Sequence, residues 1–335
     1  MKISASIYSN TSDSLEDIIK SCEENAVELL HVDCNDDPAV FKDIARIRTC
    51  TNKPIDLHLI TPHPSKYWDL LRQYHVEMVT FQYEDLQEPL EVPADIDSRL
   101  GLAITSETGI EVFEPYAEKF SFILFMATTP GRSGGAFEKS NFRKIRHFMQ
   151  KYPAKKVHVD GGVNAEVSFI IRNMGVYAAV SGSFLFKGRQ MGTAMLQLKA
   201  QDTESHFLVK DFMRTRAEVP VLLPYQRSFK EVLIAIEKYD LGFTALADEN
   251  YRLQGIISNA DVRRGLIKNM DNIARTTVED MLNPEPVFIN EDATVSEMVR
   301  MIKSRQFAIN FLPVVNDQQQ ITGAVTFFNL IKGEL

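Results

Sequence analysis

Cysteine is scarce in this chain. Cys22, Cys34 and Cys50 are only three and irregularly spaced, which excludes a disulfide framework and a cysteine zinc site. Positive charge is also short. With 37 Lys and Arg against 45 Asp and Glu, the formal net charge is -8, and no basic run offers a nucleic-acid surface. No stretch approaches the roughly 20 apolar residues of a membrane-spanning helix. The opening MKISASIYSN reads as a strand and lacks the long apolar core of a signal peptide. These absences lead to the expectation of a cytoplasmic protein with neither nucleic acid nor membrane as partner. What remains is ordinary globular material, 44% hydrophobic and 24% charged. At 335 residues, the chain exceeds one typical domain.

Eight apolar runs of strand length precede residue 185. They are KISASIY (2–8), VELLHVD (27–33), IDLHLI (55–60), VEMVTFQ (76–82), RLGLAI (99–104), SFILFMA (121–127), KVHVD (156–160) and AAVSGS (178–183). Helical spacing separates most of them, as in Ser14-Leu15-Glu16-Asp17-Ile18-Ile19-Lys20. This alternation predicts an α/β fold, a (β/α)8 barrel over residues 1–200. Continuous apolar strands fit a parallel sheet buried on both faces. Residues 201–206, opening Gln201-Asp202-Thr203-Glu204-Ser205, read as a linker.

The rest of the chain is an internal repeat. Val209-Lys210-Asp211-Phe212-Met213 recurs as Val278-Glu279-Asp280-Met281-Leu282. Gly255-Ile256-Ile257-Ser258 with Asp261 recurs as Gly323-Ala324-Val325-Thr326 with Asn329. Two copies, 207–272 and 273–335, each too small to bury a core alone, are expected to pack together within one unit, 207–335.

Polar residues in the first half cluster where the strands end. His31 and Asp33 share a face of the second strand, His58 follows Asp56 on the third, and His158 and Asp160 share a face of the seventh. A lone strand-end histidine is usually structural. Two histidines and two aspartates at equivalent heights on one rim point instead to a divalent metal, with zinc, iron, manganese and cobalt all compatible. Asp33 and Asp160, on strands far apart in the barrel, also suit proton removal and return on opposite faces of a carbon. That carbon must neighbour a carbonyl whose charge a metal can stabilise. Glycines at Gly131, Gly134 and Gly135, at Gly161 and Gly162, and in Ser181-Gly182-Ser183 predict a phosphate clamp on the same rim.

With these residues in view, the first 190 residues resemble the ribulose-phosphate 3-epimerase family. The resemblance implies that Ser6, His58, Met126, Gly134, Gly162, Gly182 and Ser183 hold the sugar phosphate. It implies one divalent ion on His31, Asp33, His58 and Asp160, with Asp33 and Asp160 as the acid-base pair. The chain departs from the family pattern where Asn35 replaces a methionine and Gln82 a histidine. The third-strand ending is His58-Leu59-Ile60-Thr61, and the phosphate loop carries Arg132 and Ser133. These changes make the pocket more polar and open the choice of ketose phosphate.

The repeat resembles a tandem pair of CBS (cystathionine β-synthase) domains, and in order of motifs the regulatory tail of arabinose-5-phosphate isomerases. That implies an adenine or cytidine nucleotide, or a CMP-sugar, on Ser258, Asp261 and Thr326, and pairing of chains into a homo-oligomer. The expected protein is a metal-dependent ketose-phosphate 3-epimerase with a nucleotide-responsive tail. Two alternatives are an epimerase or isomerase of another sugar phosphate in activated-sugar synthesis for surface polysaccharide, and a non-catalytic sugar-phosphate sensor.

Overall fold

The computed structural model describes residues 1–128, 135–187, 190–200, 204–305 and 309–327. They form two compact units, the first ending at residue 200 and the second beginning at Glu204. Among the described residues, no helix is long and apolar enough to cross a membrane.

Each apolar run in the first unit coincides with a strand to within two residues at its C-terminal end: β1 (Lys2–Ser6), β2 (Leu29–Asn35), β3 (Ile55–Ile60), β4 (Met78–Gln82), β5 (Arg99–Thr105), β6 (Phe122–Met126), β7 (Lys156–Asp160) and β8 (Ala178–Ser181). They pair in sequence order, all parallel, and β8 closes on β1. The α/β barrel read from the alternation is therefore present.

Helices cover the strands where capping and periodicity agree. In Leu15–Glu24, Ser14 Oγ accepts the Asp17 N–H and the apolar stripe Ile18, Ile19, Cys22 is buried. In Ala165–Met174, Asn164 caps the start and Gly175, at φ 103°, ends the helix. The alternation fails after β4. Only a 3₁₀ turn, Tyr83–Asp85, follows it, because Pro89 and Pro93 remove the N–H donors a helix needs. Pro115 likewise leaves the next connection, Ile110–Tyr116, as 3₁₀ helix.

Inside the barrel, Leu29, Met78, Phe122 and Ala178 fill the layer at the strand N-termini. Gly101 makes room for that layer, since a Cβ there would lie 2.1 Å from the Phe122 ring. Higher in the barrel, the interior turns polar. Ser4, His31, Asp56, His58 and Thr80 are all fully buried, an arrangement that costs stability unless each group is paired.

The second unit repeats itself in structure. Its strands are β9 (Arg214–Thr215), β10 (Val221–Leu222), β11 (Phe243–Ala247), β12 (Leu253–Ser258), β13 (Ile289–Asn290), β14 (Phe311–Val315) and β15 (Ile321–Thr326). One sheet runs β10-β11-β12 and the other β13-β14-β15-β9. Both central antiparallel pairs carry a register shift at the same place, between Leu246 and Ala247 and between Val314 and Val315. Helices Phe229–Tyr239 and Val295–Lys303 both open on capping boxes, Ser228 with Glu231 and Thr294 with Glu297.

The copies exchange their leading segments. β9 pairs with β15 of the second copy, while Val278 and Met281 pack into the core of the first. Phe243 stacks on Phe311 at 4.1 Å, so the two copies share one core.

Candidate active site

The strand register lays His31 beside Asp56 and Asp33 beside His58. His31, Asp33 and His58 bring one ligand atom each within 4.8 Å of one another. His31 Nε2 lies 3.2 Å from Asp33 Oδ1 and 3.8 Å from Asp160 Oδ2, and His58 Nδ1 lies 3.5 Å from Asp33 Oδ1. Both nitrogens are buried and neither has a hydrogen-bond partner.

The opposite ring nitrogens are tied down. His31 Nδ1 meets Asp56 Oδ2 at 3.1 Å, and Asp56 Oδ1 accepts the Thr80 hydroxyl, also at 3.1 Å. Burial pushes the Asp56 carboxyl up, but its contact with His31 outweighs this and holds it below the usual carboxylate range. An ionised Asp56 accepts the Nδ1 proton and turns Nε2 toward Asp33. His58 Nε2 meets Gln82 Oε1 at 2.9 Å. The Gln82 amide cannot be reversed, because its NH₂ donates to Glu84 Oε2 at 2.5 Å. Glu84 is itself held by the Thr105 N–H at 2.8 Å. His58 therefore carries its proton on Nε2, and the Nδ1 lone pair faces Asp33.

Two imidazole nitrogens and a carboxylate oxygen converging without hydrogen bonds fit a divalent cation, with Asp56 and Gln82 as the outer partners that orient such ligands. In the cation-free protein, burial pushes His31 down, but Asp33 and Asp56 outweigh it and the ring titrates well above its ordinary range. His31 would have to give up that proton to hold a divalent cation. The two aspartates differ. Burial raises Asp160, and nearby Asp33 adds to it. Asp33 feels the same burial, but the adjacent His31 outweighs it and holds the carboxyl well below the usual range.

Above this cluster is a cavity of about 430 Å³. Of the residues picked from sequence, Ser6, Asp33, Met126, Asp160, Gly162, Gly182 and Ser183 line it. His31 and His58 lie fully buried. Gly134 lies outside the described residues, as do Gly131, Arg132 and Ser133. Asn35, Gln82 and Asp85 make the wall polar.

Two glycines of the cavity wall are needed for space. Gly162 has φ 66°, and a Cβ there would sit 2.4 Å from the Phe137 main-chain nitrogen. At Gly182, a Cβ would sit 2.1 Å from Ser9 Oγ, which donates to Ser6 Oγ. Only glycine fits backbone packed this closely against its neighbours.

Sequence reasoning assigned no role to Asp56, Glu84 or Tyr8, and read Gln82 only as a polar replacement in the pocket wall. Asp56 had a signal, two residues before His58 on one strand face. Gln82 stood out as a departure from the family pattern, but its hold on His58 was hidden, because it depends on a strand 24 residues away. Tyr8 lines the cavity and donates to Asp43 Oδ2 at 2.9 Å. His158 sits a layer below Asp160, stacked on Phe122 at 4.2 Å, and takes no part in the cluster.

In the second unit, Ser258 and Asp261 come together as the capping box of helix Asn259–Lys268. Asp261 Oδ2 accepts from Ser258 N at 2.8 Å and from Ser258 Oγ at 2.5 Å. Asp261 Oδ1 pairs with Arg264. Thr326 ends β15 in the other sheet, where its hydroxyl accepts from Arg214 Nε at 3.4 Å.

Both halves of the chain are similar to known proteins. The profile of the ribulose-phosphate 3 epimerase family matches residues 2–186, and that of the CBS domain matches residues 278–334. The ribulose-phosphate 3-epimerase of Schizosaccharomyces pombe is 26% identical over 62% of this chain and 98% of its own length. That of Methanocaldococcus jannaschii is 27% identical over 64% of this chain and 95% of its own. The probable arabinose 5-phosphate isomerase of Haemophilus influenzae is 34% identical over 36% of this chain and only 34% of its own length. The solved structure of CBSX2 in complex with AMP is similar at a TM-score of 0.32 and 23% identity, over 38% of this chain and 95% of that one. With the family profile covering the whole closed barrel and its rim cluster, this chain belongs to the ribulose-phosphate 3-epimerase family and carries a CBS region after its barrel.

Proposed function

We propose that the barrel is a metal-dependent ketose-phosphate 3-epimerase of the D-ribulose 5-phosphate to D-xylulose 5-phosphate type. The observation that carries this reading is the placing of two carboxylates, Asp33 on β2 and Asp160 on β7, in the wall of one cavity beside His31 Nε2. Epimerisation breaks the C3–H bond on one face, with the electron pair delocalised toward the neighbouring carbonyl. A new C3–H bond then forms on the other face. One aspartate takes the first proton and the other delivers the second, so neither an oxidant nor a reductant is consumed. A divalent cation on His31, Asp33, His58 and Asp160, when bound, supplies Lewis-acid stabilisation of the developing negative charge. Gly162, Gly182 and Ser183 hold the phosphate, with Ser6 and Met126 beside the sugar.

The test is a panel of ketose phosphates incubated in deuterated water. D-Ribulose 5-phosphate should gain deuterium at C3 and yield its epimer; no exchange with any ketose phosphate overturns the proposal. Protein purified without chelators should carry about one transition-metal ion per chain. Asn35 in the wall, together with Arg132, which lies outside the described residues, supports a longer or more anionic ketose phosphate as a competing substrate, such as one used in activated-sugar synthesis. The same panel ranks the two.

For the second unit, we propose a nucleotide or CMP-sugar on Ser258, Asp261 and Thr326, and pairing of chains. Support comes from the CBS match and from the likeness to part of the arabinose 5-phosphate isomerase. A ligand at a hundredfold excess over its Kd stabilises the folded protein by roughly 2.7 kcal/mol. Thermal shift with adenine and cytidine nucleotides should show this, and light scattering should show the oligomer.

A further inference from the structure

The opposite end of the barrel holds a second cavity, of about 280 Å³, at the small end of ligand pockets. Its wall is built from residues at the starts of strands: Met78 on β4, Arg99 on β5, Phe122 on β6 and Lys156 on β7. Tyr177, just before β8, and Lys155 complete it. This end of a parallel barrel ordinarily serves stability, yet here it gathers cations in a protein of net charge -8.

An aromatic column forms one side. Phe122 stacks on His158 at 4.2 Å and 17°, and His158 on Tyr177 at 5.6 Å and 20°. The His158 ring is 1% exposed, and its buried Nδ1 has no partner. Lys156 Nζ sits 3.8 Å from the centre of the Tyr177 ring, and Lys2 Nζ 5.5 Å from it. Lys155 Nζ donates to the Phe120 carbonyl. Among the described residues, none of Lys2, Arg99, Lys155 and Lys156 forms an ion pair with a carboxylate. Concentrated, unneutralised positive charge around a cavity raises the local concentration of anions. The apolar part of the wall, Met78 and Phe122, gives a carbon skeleton a surface to lie on.

We propose that this cavity is a second binding site, separate from the catalytic rim, for a small organic phosphate held by Arg99, Lys155 and Lys156 against the Phe122–His158–Tyr177 column. The test is histidine-selective NMR on the full chain, titrated first with inorganic phosphate and then with glycerol 3-phosphate. His158 ring resonances should shift saturably in the wild type, with glycerol 3-phosphate the tighter ligand. Arg99→Ala combined with Lys156→Ala removes two exposed cations and leaves the fold intact. It should weaken the His158 response at least about tenfold, as expected for losing two charge-assisted contacts. Responses of His31 and His58 to phosphate at the rim should keep their wild-type midpoint. His158 signals that stay still in the wild type, or that saturate at the same concentration in the double variant, overturn the proposal. Because it is read at His158, a failure of the rim chemistry leaves this result standing on its own.

Discussion

At the barrel rim, two buried imidazole nitrogens face Asp33 with no hydrogen-bond partner. In the second unit, both carboxylate oxygens of Asp261 are taken up by Ser258 and Arg264. Both groups of residues sit where strands end, and both were picked for binding. The difference lies in satisfaction. Leaving a buried nitrogen without a hydrogen bond costs about 1–3 kcal/mol, and two of them facing one carboxylate support the proposed cation site. A capping box already completes itself and stabilises a helix whether or not a nucleotide arrives.

The largest effect that can break this contrast is catalytic. Asp160→Asn should lower epimerisation by roughly a hundred- to ten-thousand-fold, since one face loses its proton carrier. Ketose-phosphate binding should persist in calorimetry. Wild-type turnover in this variant would remove the two-carboxylate mechanism.

Next in size is the tie behind His58. Gln82→Met keeps the volume but removes the acceptor for the Nε2 proton. Competition against a calibrated chelator should show metal affinity about 10–100-fold weaker, and unchanged affinity would make Gln82 a mere wall residue.

The barrel's packing gives a smaller effect. Gly101→Ala forces a Cβ toward the Phe122 ring and should cost about 1–3 kcal/mol in denaturant unfolding.

The smallest effect sharpens the other side of the comparison. Asp261→Ala should lower stability by about 0.5–1 kcal/mol with no nucleotide present, because the capping box at the helix start loses its acidic N3 partner while Ser258 stays as the cap. If Asp261→Ala leaves Tm unchanged in buffer and abolishes only a nucleotide-induced shift, Asp261 is a ligand contact rather than a cap.

Much of the barrel was legible in sequence. Every one of its strands overlaps an apolar run, because strands buried on both faces need continuous apolar residues. His31, Asp33, His58 and Asp160 stood out because the two-residue period of a strand shows which side chains share a face. The cover after β4 was less legible. Its prolines were visible, but the consequence, a connection without an α-helix, rests on the whole segment. In the second unit the repeat itself could be read, while the exchange that puts β9 beside β15 could not. A repeat in sequence says that two copies exist, not which segment completes which sheet.

Local rules therefore determined the elements, their order and the strand ends that carry polar groups, since each depends on residues a few positions apart. Tertiary structure alone decided which histidine nitrogen is free. That choice rests on His31 with Asp56, 25 residues apart, and on His58 with Gln82, 24 apart. A tautomer is set by whichever partner lies within about 3 Å of the other ring nitrogen, and only the closed barrel brings those partners there.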